Sequence, residues 1–361
     1  MRRILVSVGL VAPVAAVGLL VGCIGCSRDG KPGGSVRLSG GGSTFVDPIM
    51  QKWSSEYNKA TGVEVDYTKS GSTDGIQKMT EKELDFGASD APMKKDQLEN
   101  ARAKGGEVVH VPLIMGGVAV IHSAPNVPDL KLSGPVIADI YLGKVKKWND
   151  DAIAKLNPGV ALPDLAIVPV YRAEGSGTSN IFTEFLSKVS PEFAQRVGAS
   201  TSPKWPEIGT GQKGSDGVAN HVKANAGCIG YVEVSYAKKN SIPVAAIQNS
   251  KGQFTRPEAD AVTAAGEWAL TQPQTKEPYS LHQLTFSLTN ADHEKAYPIC
   301  GITYAILYQK QPTKKGQALV EFLKWATTEG QKYAVDLYYA PLPAELGRKV
   351  AERLGQVQFE G

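Results

Sequence analysis

One stretch of the chain, YRAEGSGTSN at positions 171–180, places a cation, an acid and a run of small hydrogen-bonding residues side by side. The guanidinium of Arg172 is planar, stays charged and can hold two oxygen atoms at once. Glycine, serine and threonine follow, where an amphipathic helix is predicted to begin. The stretch is therefore either an ordinary turn with a helix cap or part of a cradle for an anion.

Arg172 itself has two interpretations. It can bind a charged ligand, or it can form a salt bridge with Glu174 or another acid. The two roles are compatible, because a carboxylate beside the guanidinium can orient it towards a ligand.

Two further segments share this design. In GGGSTF (40–45) and SGSTDG (70–75), as in EGSGTS (174–179), a strand-like run ends, a turn of glycine and hydroxyl residues follows, and a helical pattern begins. The N-terminus of a helix presents unpaired N–H groups and the positive end of the helix dipole. Glycine also lets an oxyanion approach the backbone closely. One such segment is usually only a helix cap, but three of them, one beside an arginine, favour an anion-binding site.

An acid in the segment DFGASDAP, Asp90, indicates which anion is bound. An ionised carboxylate only accepts hydrogen bonds. Phosphate at neutral pH still has a proton to donate, whereas sulfate has none. Facing sulfate, a buried carboxylate would stay unpaired at a cost of roughly 3–5 kcal/mol, which weakens binding by about a hundredfold to several thousandfold. Asp90 therefore favours phosphate or arsenate, unless it only caps the turn before Pro92.

The elements that must position these residues alternate between strand and helix. The strand-like runs are VRLSGGG, VEVDYTKS, LDFGASD, VVHVPLIMGGVAVIHS, AIVPVYR, GCIGYVEVSYA and YPICGITYAILY. Helical patterns lie between them, such as the apolar face of Phe45, Ile49, Trp53 and Tyr57. Two more helical segments, TKKGQALVEFLKWATTEG and AELGRKVAERLG, close the chain. This alternation predicts an α/β protein with mainly parallel, buried sheets.

The N-terminus has the pattern of a bacterial export signal. The chain begins with MRR, continues with an almost uniformly apolar run over 4–21, and ends this segment in LLVGC. We predict a lipoprotein-type signal peptide over residues 1–22, acylation of Cys23, and a flexible glycine-rich tether over residues 23–35. The alternatives are acylation at Cys26, a plain cleaved signal, or an uncleaved anchor, because such an apolar run nearly spans a bilayer.

Composition bears on the number of domains, on nucleic-acid binding and on the state of the cysteines. A length of 361 residues with 42% of apolar type favours two domains. The formal net charge of +3 includes Arg2 and Arg3 of the predicted signal peptide, so it gives no indication of nucleic-acid binding. Cys228 and Cys300 lie in apolar strand-like runs, which favours buried free thiols, although an oxidising compartment would permit a disulfide.

The motifs of common enzyme classes do not match. The residues around Ser176 do not satisfy G-x-S-x-G, and no glycine run continues into the Lys-Ser/Thr of a nucleotide-binding loop. The five histidines show no triad or metal-ligand spacing; they are His110, His122, His221, His282 and His293. We therefore predict no enzyme, no metal and no cofactor.

Six motifs together carry a family resemblance: GGGSTFVDPIMQKW, DFGASDAP, DIYLGKVKKWNDDAIAKLNPG, YRAEGSGTSNIFTEFL, KGSDGVA and GCIGYVEVSYA. From about residue 36 to about residue 345 the chain resembles the periplasmic phosphate-binding proteins of the bacterial phosphate ABC importer. The resemblance implies a two-lobed, type 2-like Venus-flytrap fold with mixed, mainly parallel sheets and two hinge crossings. Lobe 1 would comprise 36–115 and 300–361, and lobe 2 would comprise 116–299. The crossings would lie near Met115–Gly117 and Pro298–Gly301.

The resemblance also implies the ligand contacts. The phosphate-binding residues would be Ser43, Thr44, Phe45, Ser72, Asp90, Arg172, Ser176, Gly177 and Thr178. The first three would offer backbone N–H groups and the Thr44 hydroxyl, Asp90 would accept the phosphate proton, and Arg172 would pair with the anion. Glu174 stands where the family usually has an aspartate, and we predict that it braces Arg172.

The implied function is capture without chemistry. An exported monomeric receptor, periplasmic or on the outer face of the membrane, would hold inorganic phosphate between its lobes. It would deliver the phosphate to ABC permease subunits served by a separate ATPase, and touch the membrane only through its N-terminal lipid. The alternatives are a receptor for another oxyanion (arsenate or sulfate) and a surface phosphate sensor or scavenger without a transporter. A phosphatase is disfavoured, because the sequence shows neither a set of metal ligands nor a nucleophile motif.

Overall fold

In the computed structural model, which describes residues 36–361, short strands alternate with helices as the sequence predicts. The strands are β1 (Arg37–Gly42), β2 (Glu64–Lys69), β3 (Phe86–Ser89), β4 (Val108–His122), β5 (Lys131–Leu132), β6 (Val168–Arg172), β7 (Thr210–Gln212), β8 (Cys228–Glu233), β9 (Ala246–Gln248), β10 (Phe254–Thr255), β11 (Cys300–Tyr308), β12 (Lys310–Pro312) and β13 (Gln358–Glu360). The helices are α1 (Asp47–Thr61), α2 (Ser72–Thr80), α3 (Lys95–Gly105), α4 (Gly134–Tyr141), α5 (Asp151–Ala154), α6 (Gly177–Val189), α7 (Pro191–Arg196), α8 (Gly214–Ala224), α9 (Val234–Asn240), α10 (Ala259–Thr271), α11 (Thr313–Ala326) and α12 (Ala344–Leu354). Two 3-10 helices, Glu329–Tyr333 and Val335–Leu337, lie between α11 and α12.

One boundary differs from the sequence interpretation. The run GCIGYVEVSYA was predicted as a single strand, but β8 ends at Glu233 and α9 begins at Val234. The Glu233 side chain accepts a hydrogen bond from the N–H of Ser235, at 3.0 Å, and so caps the new helix. The sequence does not show this change from strand to helix, because a short, continuous apolar run is typical of both a buried strand and a buried helix.

Strand β4 organises the main sheet by changing its partner halfway. The eight strands are ordered β2-β1-β3-β11-β4-β8-β6-β7. Residues 108–117 of β4 pair with β11, and residues 118–122 pair with β8, both antiparallel. On one side β1 runs parallel to β2 and β3, and on the other β6 runs parallel to β7 and β8. The mixed, mainly parallel α/β arrangement is thus confirmed, with the antiparallel pairs gathered around β4 and β11.

The change of partner lies where the sequence places the hinge crossings. Gly117 is the last residue of β4 paired with β11, opposite Cys300. The next residue, Val118, is opposite Glu233 of β8, and its N–H donates to the carbonyl of Ile299 at 2.8 Å. Strand β4 therefore crosses from one group of parallel strands to the other, and the residue that precedes β11, Ile299, lies beside it at the crossing.

Apolar helix faces pack on both parts of the sheet. The predicted apolar face is buried at Ile49, Trp53 and Tyr57 of α1 and at Phe45 in the loop before it. Beyond the crossing, α6 places Phe182 in a stack on Tyr231 of β8, with ring centroids 4.2 Å apart. Burying one large apolar side chain contributes about 1.5–3 kcal/mol. These faces therefore hold fixed the N-termini of helices that begin at the predicted site.

Two further sequence predictions concern the cysteines and the N-terminal segment. Cys228 and Cys300 are buried free thiols, as expected, and the thiol of Cys300 lies 3.0 Å from the carbonyl oxygen of Tyr297. The signal peptide, Cys23, Cys26 and the tether fall outside the described residues. Within residues 36–361, none of the helices combines the length and apolarity that a membrane crossing requires.

Candidate functional site

The predicted site residues meet around Asp90, which directly follows β3 and is only 4% exposed. Its Oδ1 accepts hydrogen bonds of 2.6 Å from the hydroxyls of Ser43 and Thr303, and the Ser72 hydroxyl lies 3.4 Å from Oδ2. Burial raises the pKa of Asp90 to about 6, while the bonds from Ser43 and Thr303 and the charge of Arg172 oppose this rise. At neutral pH Asp90 is therefore ionised and accepts hydrogen bonds, and it gains a proton a little below neutrality.

The loop between β1 and α1 supplies the predicted contacts Ser43, Thr44 and Phe45. The N–H of Ser43 donates to the carbonyl of Ala88 at 2.8 Å. The N–H of Phe45 donates to the Ser43 hydroxyl at 3.0 Å. Two of the predicted backbone donors are thus engaged within the fold, whereas the Thr44 hydroxyl faces another hydroxyl, that of Ser215, at 2.9 Å.

The carbonyl groups of the same loop are held by three tyrosine hydroxyls. Tyr67 donates to the carbonyl of Ser43 at 2.7 Å, Tyr236 to that of Thr44 at 2.6 Å, and Tyr339 to that of Phe45 at 2.6 Å. Because each peptide unit is planar, a fixed carbonyl also fixes the direction of the following N–H. The three tyrosines therefore set the orientation of this loop.

Helices α2 and α6 begin next to each other at the site. The hydroxyl of Ser72 accepts a hydrogen bond from the N–H of Gly177 at 3.0 Å. A Cβ atom on Gly177 would lie 2.6 Å from both Asp90 Oδ2 and Ser72 Oγ. Only glycine allows this approach, which explains the glycine between Ser176 and Thr178.

The hydroxyls of Ser176 and Thr178 have different surroundings. Ser176 is the N-cap of α6 and accepts a hydrogen bond from the N–H of Ser179 at 3.2 Å. Thr178 is 1% exposed, and its Oγ1 has no hydrogen-bond partner among the described residues. A buried hydroxyl without a partner costs free energy. Thr178 is therefore the side chain best suited to donate to a bound ligand.

Arg172 ends strand β6, and its side chain is 1% exposed. Its Nε donates to Glu174 Oε1 at 2.8 Å, and its Nη2 bonds the same oxygen. That oxygen also accepts the N–H of Gly214, at the start of α8, at 3.0 Å. Glu174 thus holds the guanidinium in place and ties it to a fourth helix N-terminus.

Two site residues were missed by sequence reasoning, Ser215 and Thr303. Ser215 Oγ lies 3.4 Å from Arg172 Nη1 and 2.9 Å from Thr44 Oγ1. A guanidinium only donates hydrogen bonds, so the Ser215 oxygen accepts one from Arg172. The Ser215 hydroxyl can then donate its own hydrogen bond to the Thr44 oxygen. The Thr44 proton is then available to a ligand. The segment KGSDGVA repeats the turn-and-helix pattern of the other loops and could have identified Ser215, whereas Thr303, inside an apolar strand, carries no such signal.

Removing the Ser215 hydroxyl tests this relay. We expect Ser215→Ala to weaken binding of the predicted ligand, phosphate, about two- to tenfold, the effect of one neutral hydrogen bond. Calorimetric titration measures the change, and Ser215→Thr, which keeps a hydroxyl, is the matched control. Equal affinity of Ser215→Ala and the unmodified protein would remove Ser215 from the site.

Two openings adjoin these residues. A cavity of about 150 Å³ lies beside Thr44 and Glu174, and Lys69 at its rim pairs with Asp47 at 3.0 Å and Asp216 at 2.7 Å. A groove of about 1440 Å³ runs between α3, α6 and the segment 273–287, and none of the predicted site residues lines it. We place the candidate site at the buried pair Arg172 and Asp90, neither of which lines the larger groove.

The described part of the chain offers no metal centre. Over residues 36–361 no three histidine, cysteine or acidic side chains are grouped to hold an ion. Burial lowers the pKa of both His110 and His122 to about 4. Both are therefore neutral in the fold, and His110 accepts a hydrogen bond from the N–H of Met93 at 3.1 Å.

Comparison with known proteins finds one family along most of the chain. A model of the PBP superfamily domain matches residues 29–329. The phosphate-binding protein PstS of Xylella fastidiosa (strain 9a5c) is 40% identical over 323 residues, covering 88% of this chain and 84% of that protein. The phosphate-binding protein PstS of Pasteurella multocida (strain Pm70) is 41% identical over 316 residues, covering 87% and 88%.

Solved structures share the fold. A high affinity periplasmic phosphate-binding protein bound with phosphate superposes with a TM-score of 0.70 at 19% identity, covering 88% of this chain and 93% of that structure. A phosphate-binding protein from Stenotrophomonas maltophilia superposes with a TM-score of 0.64 at 20% identity, covering 88% and 94%. At these identities the likeness concerns the fold alone.

Proposed function

The chain belongs to the PBP superfamily and, within it, to the PstS phosphate-binding proteins, and on that premise we propose that it is a receptor for inorganic phosphate that serves an ABC-type importer. One observation carries the ligand assignment. A buried cation, Arg172, and a buried acid, Asp90, share one site, and the charge of Arg172 lowers the pKa of Asp90. A protonated oxyanion satisfies both groups, because its oxygens accept hydrogen bonds from Arg172 and its O–H donates one to Asp90.

Of the contacts predicted from the sequence, we propose Arg172, Asp90, Thr44 and Thr178 as direct ones, with Ser215 supporting Thr44. The N–H groups of Ser43, Phe45 and Gly177 are engaged within the fold. Arg172 binds two phosphate oxygens, and Glu174 braces it. Thr44 and Thr178 donate from their hydroxyls, and the start of α6 adds the positive end of its dipole. The hydroxyls of Ser43 and Ser72 contact the carboxylate of Asp90, which is the proposed acceptor of the phosphate O–H.

Capture by closure of two lobes is supported by where these groups lie. Ser43, Ser72 and Asp90 belong to the proposed lobe 1 (36–115 and 300–361), whereas Arg172 and Thr178 belong to the proposed lobe 2 (116–299). Because the donors are divided between lobes, phosphate binds both only when they come together, which shifts the open–closed equilibrium towards the closed form. Strand β4 near Met115–Gly117 and the segment Pro298–Gly301 that leads into β11 would form the hinge.

No chemistry on the ligand is proposed. Its relatives are named as binding proteins, and the carboxylate next to the Ser43 and Thr303 hydroxyls is that of Asp90, which we propose as the acceptor of the phosphate O–H. We propose that the receptor acts as a monomer, is exported, and is tethered to the outer face of a membrane through lipid on Cys23. It would release phosphate to permease subunits that are driven by a separate ATPase.

The direct test is a calorimetric titration of the purified protein with phosphate and with sulfate. We expect tight phosphate binding that equimolar sulfate does not displace. Thr178→Val, which replaces the unpartnered hydroxyl by a methyl group of similar size, should weaken phosphate binding about tenfold or more, because a charged acceptor then loses a donor. The variant should keep its ligand-free melting temperature, since the Thr178 hydroxyl has no hydrogen-bond partner within residues 36–361. Displacement by equimolar sulfate, or release of phosphate from a phosphate ester, would contradict the proposal.

A further inference from the structure

A second buried acid, Glu233, lies outside the proposed ligand contacts. It is the last residue of β8 and sits opposite Val118, the first residue of β4 after the change of partner. Its exposure is 0%. A carboxyl group at this depth is unusual unless it is paired or neutral, and no basic side chain forms an ion pair with it among the described residues.

The carboxyl group makes all its contacts through one oxygen. Glu233 Oε2 accepts from the N–H of Ser235 at 3.0 Å, bonds the Ser235 hydroxyl, and lies 3.2 Å from the hydroxyl of Tyr339. The other oxygen, Oε1, is buried and has no partner among the described residues. An ionised carboxylate would leave that oxygen's charge without compensation.

Counting hydrogens indicates the protonation state. The Tyr339 hydroxyl lies 2.6 Å from the carbonyl of Phe45, which can only accept, so its single hydrogen goes there. Four contacts then join Ser235, Tyr339, Glu233 and Phe45, and Ser235 and Tyr339 supply only three hydrogens. A proton on Glu233 is the fourth. Burial, the largest cause, raises the pKa of Glu233 to about 8, and the charge of Asp90 adds to this rise.

The groups that face Glu233 do not titrate near neutral pH in its place. Tyr339 and Tyr236 both have pKa values raised by burial, so they stay protonated, and Ser235 does not ionise. Asp90 is ionised above a pKa of about 6. Between about pH 7 and pH 9, Glu233 is therefore the member of this cluster that changes its charge.

The cluster is connected to the ligand site through the loop Ser43–Phe45. Tyr339 is one of the three tyrosines that hold the carbonyls of this loop. Within residues 36–361, the hydroxyls of Tyr67 and Tyr236 hydrogen-bond these carbonyls and no carboxyl group. If Glu233 loses its proton, the Tyr339 hydrogen is drawn from the carbonyl of Phe45 to the new carboxylate, and one of the three restraints is lost.

We propose that Glu233 is a positioning residue held as a neutral acid, whose proton, through Tyr339, keeps the loop Ser43–Phe45 in its phosphate-binding orientation, so that alkaline pH weakens binding by ionising it. This inference rests on the proposed function. Because the folded pKa lies above that of an unperturbed Glu, the proton is retained as pH rises until about 8 and is lost beyond it. The effect is expected at alkaline, not acidic, pH.

The test compares phosphate affinity of the unmodified protein and of Glu233→Gln from pH 6.5 to pH 9.5. Glutamine is of similar size and does not titrate. Phosphate is the same ligand in both titrations, so its own ionisation cancels in the ratio of the two dissociation constants. We expect this ratio, unmodified protein over variant, to rise about three- to tenfold through about pH 8, the effect of one hydrogen bond. A ratio that stays constant across the range overturns the inference.

Two tyrosine variants separate this role from a purely structural one. Tyr67→Phe removes a restraint of the same loop that has no carboxyl partner, so it should weaken binding yet keep the alkaline decrease. Tyr339→Phe should weaken binding and lose the decrease. If Glu233→Gln fails to fold, the Tyr339→Phe profile decides, and an alkaline decrease equal to that of Tyr67→Phe overturns the inference. If the unmodified protein binds no phosphate at any pH, the proposed function fails instead.

Discussion

Replacing Arg172 by alanine will weaken phosphate binding by about 30-fold to several thousandfold, the largest single loss that we expect for the site. The guanidinium side chain is 1% exposed, so water does not screen its attraction for an anion as it would at the surface. Truncating one partner of a buried, hydrogen-bonded charge pair costs about 2–5 kcal/mol. At about 1.4 kcal/mol per factor of ten, this energy gives the stated range.

The variant needs two comparisons, because Arg172 also bonds Glu174. Arg172→Lys keeps a positive charge but loses the fork that holds two oxygens, so its affinity should lie between those of Arg172→Ala and the unmodified protein. Arg102→Ala removes an exposed arginine that pairs with Glu107 at 2.5 Å, and binding should not change. The ligand-free melting temperature shows whether each variant is folded at the temperature of titration. A loss of less than about threefold in folded Arg172→Ala would mean that the anion binds elsewhere.

The local parts of the site were predictable because the residues of each part lie close together in the sequence. The loop before α1, the start of α2 and the N-cap of α6 each follow from glycine and hydroxyl residues between a strand and a helix. Asp90 follows from the chemistry of a protonated anion. The alternation of strands and helices was equally predictable, since apolar residues recur with a different period in amphipathic helices than in strands.

The parts that were missed depend on residues far apart in the chain. Tyr236 and Tyr339 reach the loop at Thr44 and Phe45 across 192 and 294 residues of sequence. Thr303 reaches Asp90 across 213 residues. A tyrosine or threonine in an apolar run is an ordinary core residue by pattern, and only the packed fold shows which hydroxyl meets which carbonyl or carboxylate. Sequence reasoning therefore identified the side chains that we propose as ligand donors, but not the tyrosines that hold the loop Ser43–Phe45.

The two buried acids show how one fold assigns opposite tasks to the same group. Asp90 has hydroxyl donors on both oxygens and the charge of Arg172 nearby, and its pKa is raised only to about 6. Glu233 has an oxygen without a partner, and its pKa is raised to about 8. Near pH 7 the first is a charged acceptor and the second a neutral donor. Ligand selectivity is thus expected to respond to Asp90 in acid, and loop orientation to Glu233 in alkali.

Replacing Asp90 by asparagine will change selectivity rather than simply abolish binding. The amide can donate to an oxygen of sulfate, so the unpaired-charge penalty of roughly 3–5 kcal/mol disappears. At pH 8 the ratio of phosphate to sulfate affinity should fall by about a hundredfold to several thousandfold. Phosphate binding itself should weaken about tenfold or more, because a charge-assisted hydrogen bond is lost.

The unmodified protein should show the same change with pH. As pH falls through about 6, Asp90 gains a proton and becomes a donor, so sulfate is rejected less strongly at pH 5 than at pH 8, whereas Asp90→Asn should show no such step. Asp85→Asn is the matched control, since Asp85 bonds Ser39 and Lys315 and contacts none of the site residues. Competition titrations at the two pH values give the ratios directly. If the ratio moves less than about tenfold in Asp90→Asn, the carboxylate is not what rejects sulfate, and the selectivity would have to arise from the arrangement of the donors alone.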